Sequence, residues 1–178
     1  PSFGRLQDET PAQMQAVMQT NLIAPMLLTR CLLPHLLAQR AAQVICVGSA
    51  LGAIGLPGYS VYSASKFGLR GFAQALRREL AETPVKVQYL GPRTTRTAFN
   101  SDAAEAYNRA TGTASDSPEQ VAAELLALLE SGAAERFVGY PEKIAARLNG
   151  LAPSLLDGSF KRHSRQLTSA ATAQPAHP

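Results

Sequence analysis

Tyr62 and Lys66 stand four residues apart in the stretch SALGAIGLPGYSVYSASKFGLRG, residues 49–71, whose other members are mostly small or apolar. On a helix that spacing puts both side chains on one face, one turn apart. A lysine among apolar neighbours needs water or a partner, because an unpaired ammonium is costly to bury. A phenol ordinarily titrates near 10, and an adjacent ammonium favours the phenolate and lowers that value. The pair therefore has the make-up of a tuned acid/base; the plain alternative at so common a spacing is a surface lysine beside a packed tyrosine.

Two further residues belong with the pair. Ser49 follows the β-branched run QVICVG (43–48), which reads as a buried parallel strand, and the carboxyl ends of such strands are where open α/β sheets bind ligands. Its hydroxyl could hold a substrate oxygen that Tyr62 protonates or deprotonates. Asn21 lies in mid-helix with Pro25 four residues on, so its carbonyl lacks the usual N–H partner and is open to a water or a side chain. A kink of that kind also serves ordinary packing.

The elements that must position these residues alternate along the chain. A long helix, or two in succession, starts from the cap at Thr10 with Pro11 in its first turn. After the strand at 43–48 and a Gly/Pro-rich loop (49–58), a second long helix covers about 59–80. VKVQYL (85–90) is a second strand, SPEQVAAELLALLES (117–131) a serine-capped helix ended by Gly132, and ERFVGY a third strand. Residues 141–156 read as helix with a break near Pro153. This alternation predicts an α/β fold with a parallel sheet, one domain over 1–160, and a polar tail without period over 161–178, expected to be disordered.

Asn21, Ser49, then Tyr62 and Lys66 in YSASK, with GLPGY before them and GPRTTRT after the next strand, together resemble the short-chain dehydrogenase/reductase (SDR) family. The likeness runs from FGRLQDET to about residue 139. It implies a Rossmann-like doubly wound parallel sheet, of which this chain would be the carboxyl-terminal portion. It implies further that Tyr62 is the acid/base, that Ser49 steadies the substrate oxygen, and that Lys66 lowers the tyrosine pKa and bonds the nicotinamide ribose. The carbonyl of Asn21 would bind a relay water, while Pro92, Thr95 and Thr97 would meet the nicotinamide amide. The implied cofactor is NADP or NAD, and the implied substrate a small carbonyl compound or secondary alcohol.

Arg93 occupies the place where the family usually has glycine, so a positive φ there would be strained. Arg93 or Arg96 touching a cofactor phosphate is an open alternative. The family's glycine-rich turn, its NAD/NADP-selecting residue and its N-N-A-G segment have no counterpart, so the chain reads as the catalytic half of a longer protein. Two functions follow. One is an NAD(P)-dependent oxidoreductase. The other is a catalytically silent chain acting only in association through the helices at 10–40 and 59–80, the pair that in relatives commonly builds a homodimer or homotetramer.

Composition trims the remaining classes. The 178 residues carry a net charge of +4, with basic residues scattered rather than interleaved with aromatics, which argues against nucleic acid. Uninterrupted apolar runs stay below the length of about 18 residues that suggests a membrane span. Cys31 and Cys46 sit in apolar runs and read as buried reduced thiols of a cytoplasmic protein, and His35, His163 and His177 share no metal spacing. Between Arg96 and Asp116 a lid is expected, with Phe99, Ala103, Ala104 and Tyr107 to line an apolar pocket. The apolar segment 147–156 could extend that pocket, pack a neighbour or lie near a membrane surface.

Overall fold

The computed structural model describes residues 2–172. Helix α1 (Pro11–Met18) opens on a capping box in which Thr10 Oγ1 accepts from the Gln13 N–H, while Gln13 Oε1 accepts from the Thr10 N–H. A π-helical turn over Gln19–Ile23 joins it to α2 (Ala24–Leu37), and Pro25 lies in the first turn of α2. One wide turn in an otherwise α-helical run is how a helix absorbs a residue lacking its N–H.

Strand β1 (Ala42–Val47) leads through a short 3₁₀ turn at Ala50–Gly52 to α3 (Ser60–Glu79). Val61, Ser65, Leu69, Ala73 and Leu76 are the buried stripe of α3, at the three- and four-residue spacing of one helix face. Strand β2 (Val85–Gly91) follows, then the two-residue β3 (Thr94–Thr95), α4 (Asp102–Thr111), β4 (Ser115–Asp116) and α5 (Pro118–Ser131). The chain continues through β5 (Glu135–Phe137), α6 (Tyr140–Leu151), the short α7 (Ser154–Asp157) and α8 (Lys161–Thr172).

The main sheet has the order β1-β2-β5, all parallel, with Cys46 opposite Tyr89 and Gly91 opposite Phe137. β2 is the middle strand, and six of its seven residues are buried. On one face Leu69, Ala73, Val87, Tyr89 and Phe137 build the larger core; on the other Leu90, Leu128 and Val138 build a smaller one. The three expected strands are present. The second sheet, β3 with β4, is an addition the alternating pattern gave no sign of.

Two expectations are corrected. Residues 161–172 are helical, because His163 packs on Tyr107 and Phe160 while Arg162 Nη2 donates to the Ala110 carbonyl at 2.9 Å, giving a polar helix a docking site. The rest of the expected tail, 173–178, lies outside the described residues. Cys31 is exposed, since its face of α2 meets no other element, whereas Cys46 is buried as expected. The continuous helical run Pro11–Leu37 is long and apolar enough to cross a membrane by length and composition, with an 18-residue window of mean hydropathy 1.3, although the sequence has no uninterrupted apolar run of that length. Polar residues interrupt it often enough to break up every apolar stretch in the sequence, yet not enough to lower the average.

Candidate active site

Ser49 sits just past the carboxyl end of β1, and backbone bonds stitch its loop to the end of β2. Gly48 N–H donates to the Leu90 carbonyl at 2.8 Å and Ala50 N–H to the Pro92 carbonyl at 2.7 Å. From beneath, the buried phenol of Tyr89 donates to the Ser49 carbonyl at 2.8 Å and accepts from the Ser49 N–H at 3.0 Å. Room for that ring exists only because residues 48 and 52 are glycines: a Cβ at either would fall 2.1 or 2.2 Å from the Tyr89 Oη.

Tyr62 and Lys66 come from the first half of α3, one turn apart, and with Ser49 they line a single cavity of about 620 Å³. The Ser49 side chain lies beside the Tyr62 phenol in that cavity. Lys66 Nζ lies over the Tyr62 ring, 5.6 Å from its centroid. Burial pushes the Tyr62 phenol above its usual value, and Ser49 pulls it part of the way back. Burial likewise draws the Lys66 ammonium below its usual value. The direction for Tyr62 is opposite to the one expected from its spacing to Lys66, because desolvation of the buried phenolate dominates.

Asn21 reaches the same helix from the π-helical turn. Its Nδ2 donates to Ser65 Oγ at 3.1 Å, and Ser65 Oγ donates to the Tyr62 carbonyl at 2.7 Å. Gly68 permits the approach: a Cβ there would lie 2.8 Å from Leu22 Cδ2. Asn21 is thus joined to the backbone of the turn that carries Tyr62 through one hydroxyl, and its carbonyl is the one that Pro25 cannot satisfy.

Pro92, Thr95 and Thr97 also line the cavity. Arg93 differs from both expectations. No residue other than glycine has a positive φ among the described residues, so Arg93 is unstrained. Its guanidinium grips Asp116 through two bonds of 2.7 and 2.9 Å, with Glu142 at 3.7 Å, rather than being left for a phosphate. Arg96 Nη1 likewise donates to the Ser115 carbonyl at 3.0 Å. These contacts, with the β3–β4 pairing, close the segment 96–116 at its base. Phe99 and Ala104 line the cavity as expected; Ala103 faces outward, and Tyr107 stands behind the wall with its hydroxyl donating to the Pro57 carbonyl at 3.0 Å.

Residues the sequence reading passed over complete the site. Tyr89 hid in a strand pattern that only marks it as buried. Asp116 was masked by its place beside a helix cap. Asn108 and His163 line the cavity, and Tyr62, Tyr59, Tyr107 and His163 form a run of edge-on rings with centroids 6.1, 6.1 and 5.9 Å apart. Burial pushes Tyr59 up to about 12 and draws the His163 imidazole down. No cluster of three metal-ligating side chains occurs among the described residues.

A family model described as short chain dehydrogenase matches residues 2–108. The chain belongs to the short-chain dehydrogenase family. Over 159 residues this short-chain dehydrogenase is 31% identical to dehydrogenase/reductase SDR family member 7B of Bos taurus, covering 85% of the chain and 49% of that protein. Over 81 residues it is 40% identical to the ketoacyl reductase HetN of a Nostoc species, covering 46% of the chain and 28% of that protein. It therefore spans half or less of the length of these curated relatives. A solved short chain dehydrogenase from Burkholderia cenocepacia, in complex with NADP, shares its fold with a TM-score of 0.76 at 23% identity, over 90% of this chain and 64% of that one. The fold is the Rossmann-like α/β fold of the family.

The residues present fit a nicotinamide ribose. Lys66 makes no hydrogen bond or ion pair among the described residues, yet it is largely buried and lines the cavity. A desolvated ammonium with no hydrogen-bond acceptor among the described residues calls for hydroxyl oxygens from a ligand.

Proposed function

We propose that this chain is the catalytic part of an NAD(P)-dependent oxidoreductase that interconverts a carbonyl compound and a secondary alcohol. A bound nicotinamide would supply or accept the hydride. In the reducing direction the Tyr62 Oη–H passes its proton to the carbonyl oxygen as the carbonyl carbon gains its hydrogen, leaving a phenolate. Ser49 Oγ donates to the same oxygen and stabilises the charge that gathers there. Lys66 holds the ribose and stabilises the phenolate, and Asn21 fixes the turn of α3 through Ser65 while its carbonyl receives a water that carries the returning proton. Pro92, Thr95 and Thr97 form the wall against which the nicotinamide amide lies.

The observation that carries this reading is the meeting in one cavity of Ser49, Tyr62 and a Lys66 that makes no hydrogen bond or ion pair among the described residues. The domain runs over 1–160, with α8 as its lid-side appendage. Exposed apolar residues on α2, among them Leu27, Leu28 and Leu32, suit a homo-oligomer interface, and the two unpaired cysteines suit the reducing cytoplasm. The test is oxidation of NADPH and NADH by the full-length protein with a panel of aldehydes and ketones, beside Tyr62→Phe. Loss of at least about a hundredfold in kcat with cofactor binding retained supports the reading. A wild type that binds neither cofactor would hand the chain to the association role instead.

A further inference from the structure

Helix α6 presents two unlike faces. Inward, Glu142 and Ala145 line the catalytic cavity, Ala146 is buried in the larger core, and Asn149 Nδ2 donates to the Ala53 carbonyl at 2.8 Å. Outward, Tyr140, Ile144, Leu148 and Leu151 recur at helical spacing, and α7 adds Leu155. Tyr140, Leu151 and Leu155 are 76%, 85% and 75% exposed, and Ile144 and Leu148 are 44% exposed. Scattered single exposures are ordinary, but five along one surface mark a contact site.

The charge around this stripe says what it contacts. On α6 and α7 the charged side chains are Lys143 and Arg147 against two acids, Glu142 and Asp157, whereas Lys161, Arg162 and Arg165 belong to α8, which packs on α4. One of the two acids, Glu142, is turned inward towards Arg93. Lys143 and Arg147 flank the stripe on α6, both exposed and neither in an ion pair among the described residues. A twofold contact through this surface would bring four unpaired cations, two from each copy, into one interface, which is unfavourable. An apolar stripe edged with unpaired cations matches the surface of a bilayer containing anionic lipid.

We propose that the α6–α7 stripe docks the protein on an anionic phospholipid bilayer, and that the site behind it takes apolar carbonyl compounds dissolved in that bilayer. The docking stands on the stripe alone; the substrate class rests on the oxidoreductase reading. Both follow from one helix serving as the inner wall of the cavity and the outer contact with lipid. A long apolar carbonyl compound leaving the bilayer would then reach Tyr62 without crossing open water.

The test is co-sedimentation of the full-length protein with phosphatidylcholine vesicles, with and without phosphatidylglycerol. Binding should require phosphatidylglycerol, weaken in high salt, and fall at least tenfold in Leu151→Glu/Leu155→Glu and in Lys143→Glu/Arg147→Glu, while circular dichroism stays unchanged. Because all four side chains are exposed, these variants leave the core intact. Tyr62→Phe should bind vesicles as the wild type does, so loss of catalysis and loss of docking are read separately. Binding that ignores phosphatidylglycerol, no binding at all, or a dimer that Leu151→Glu/Leu155→Glu splits into monomers would overturn the proposal. For the substrate class, anionic vesicles should raise kcat/KM for a long-chain ketone at least several-fold and leave a water-soluble short ketone unchanged; equal effects on both would overturn it.

Discussion

The phenol of Tyr89 bonds both backbone groups of Ser49, donating to its carbonyl and accepting from its N–H, 40 residues away in sequence. Removing that oxygen leaves two buried backbone groups unsatisfied directly under the Ser49 hydroxyl. Tyr89→Phe should cost about 1–3 kcal/mol of stability. It should also lower kcat by roughly tenfold with little change in KM, because the hydroxyl moves relative to Tyr62 rather than being lost. Denaturant unfolding and steady-state kinetics check the two parts. Lower stability at unchanged kcat would mean that Tyr89 only packs.

Tyr62 carries its proton through the neutral range, since burial raises its pKa. Carbonyl reduction needs the protonated phenol and alcohol oxidation needs the phenolate. The rate of oxidation should therefore climb as pH rises from 7, and reduction should hold steady until the phenol ionises. A reductive rate that falls steeply between pH 7 and 8 would contradict the burial effect.

Alkaline pH should destabilise the fold. Tyr59 and Tyr89 are each pushed up to about 12 by burial, while in the unfolded chain they ionise near 10. Between those values the folded state holds protons that the unfolded state has lost, so stability is full below pH 10 and declines as pH rises towards 12. Thermal melts across that window should show the fall, and Tyr59→Phe should make it shallower.

Breaking the Arg93–Asp116 grip should loosen the segment that covers the cavity. Asp116 is only 4% exposed, so Arg93→Ala leaves a buried carboxylate without its partner, at a cost of about 3 kcal/mol. Limited proteolysis should then cut within 96–116, and KM should rise more than kcat falls. Arg93→Lys should recover only part of the effect, because an ammonium cannot make the paired bonds.

At the far end of the ring series, His163 has its Nδ1 buried without a hydrogen-bond partner among the described residues. A buried nitrogen acceptor is easier to leave unpaired than a buried N–H, so the neutral ring should carry its proton on Nε2. Imidazole ¹⁵N shifts give the tautomer directly. His163→Phe should keep the wall while lowering kcat/KM severalfold for substrates with a hydrogen-bond acceptor remote from the carbonyl.

How much of this was legible depends on the kind of signal. That Asn21, Ser49, Tyr62 and Lys66 belong together could be expected from residue type and spacing, and the structure brings Ser49, Tyr62 and Lys66 to one cavity with Asn21 one hydroxyl away from the Tyr62 backbone. The sheet could be read from β-branched runs. Tyr89 and Asp116 could not, because their partners lie 40 and 23 residues away and nothing local marks the pairing. The helix at 161–172 was missed for a related reason: its contacts with Tyr107 and Phe160 come from the fold rather than from its own polar sequence.

The middle strand also constrains how this chain can vary. Neighbours on β2 point to opposite sides: Tyr89 supports the serine loop, while Gln88 Nε2 donates to the carbonyls of Leu128 and Ala133, both at 2.8 Å, and anchors the end of α5. A slip of one residue would exchange the two sides. Single substitutions on either side can therefore be selected one at a time, whereas an insertion or deletion within 85–91 would disable the serine loop and detach a helix in the same event. Length changes across this family member should accumulate elsewhere, in the turns at 81–84 and 132–134, where a residue more or less leaves that alternation intact.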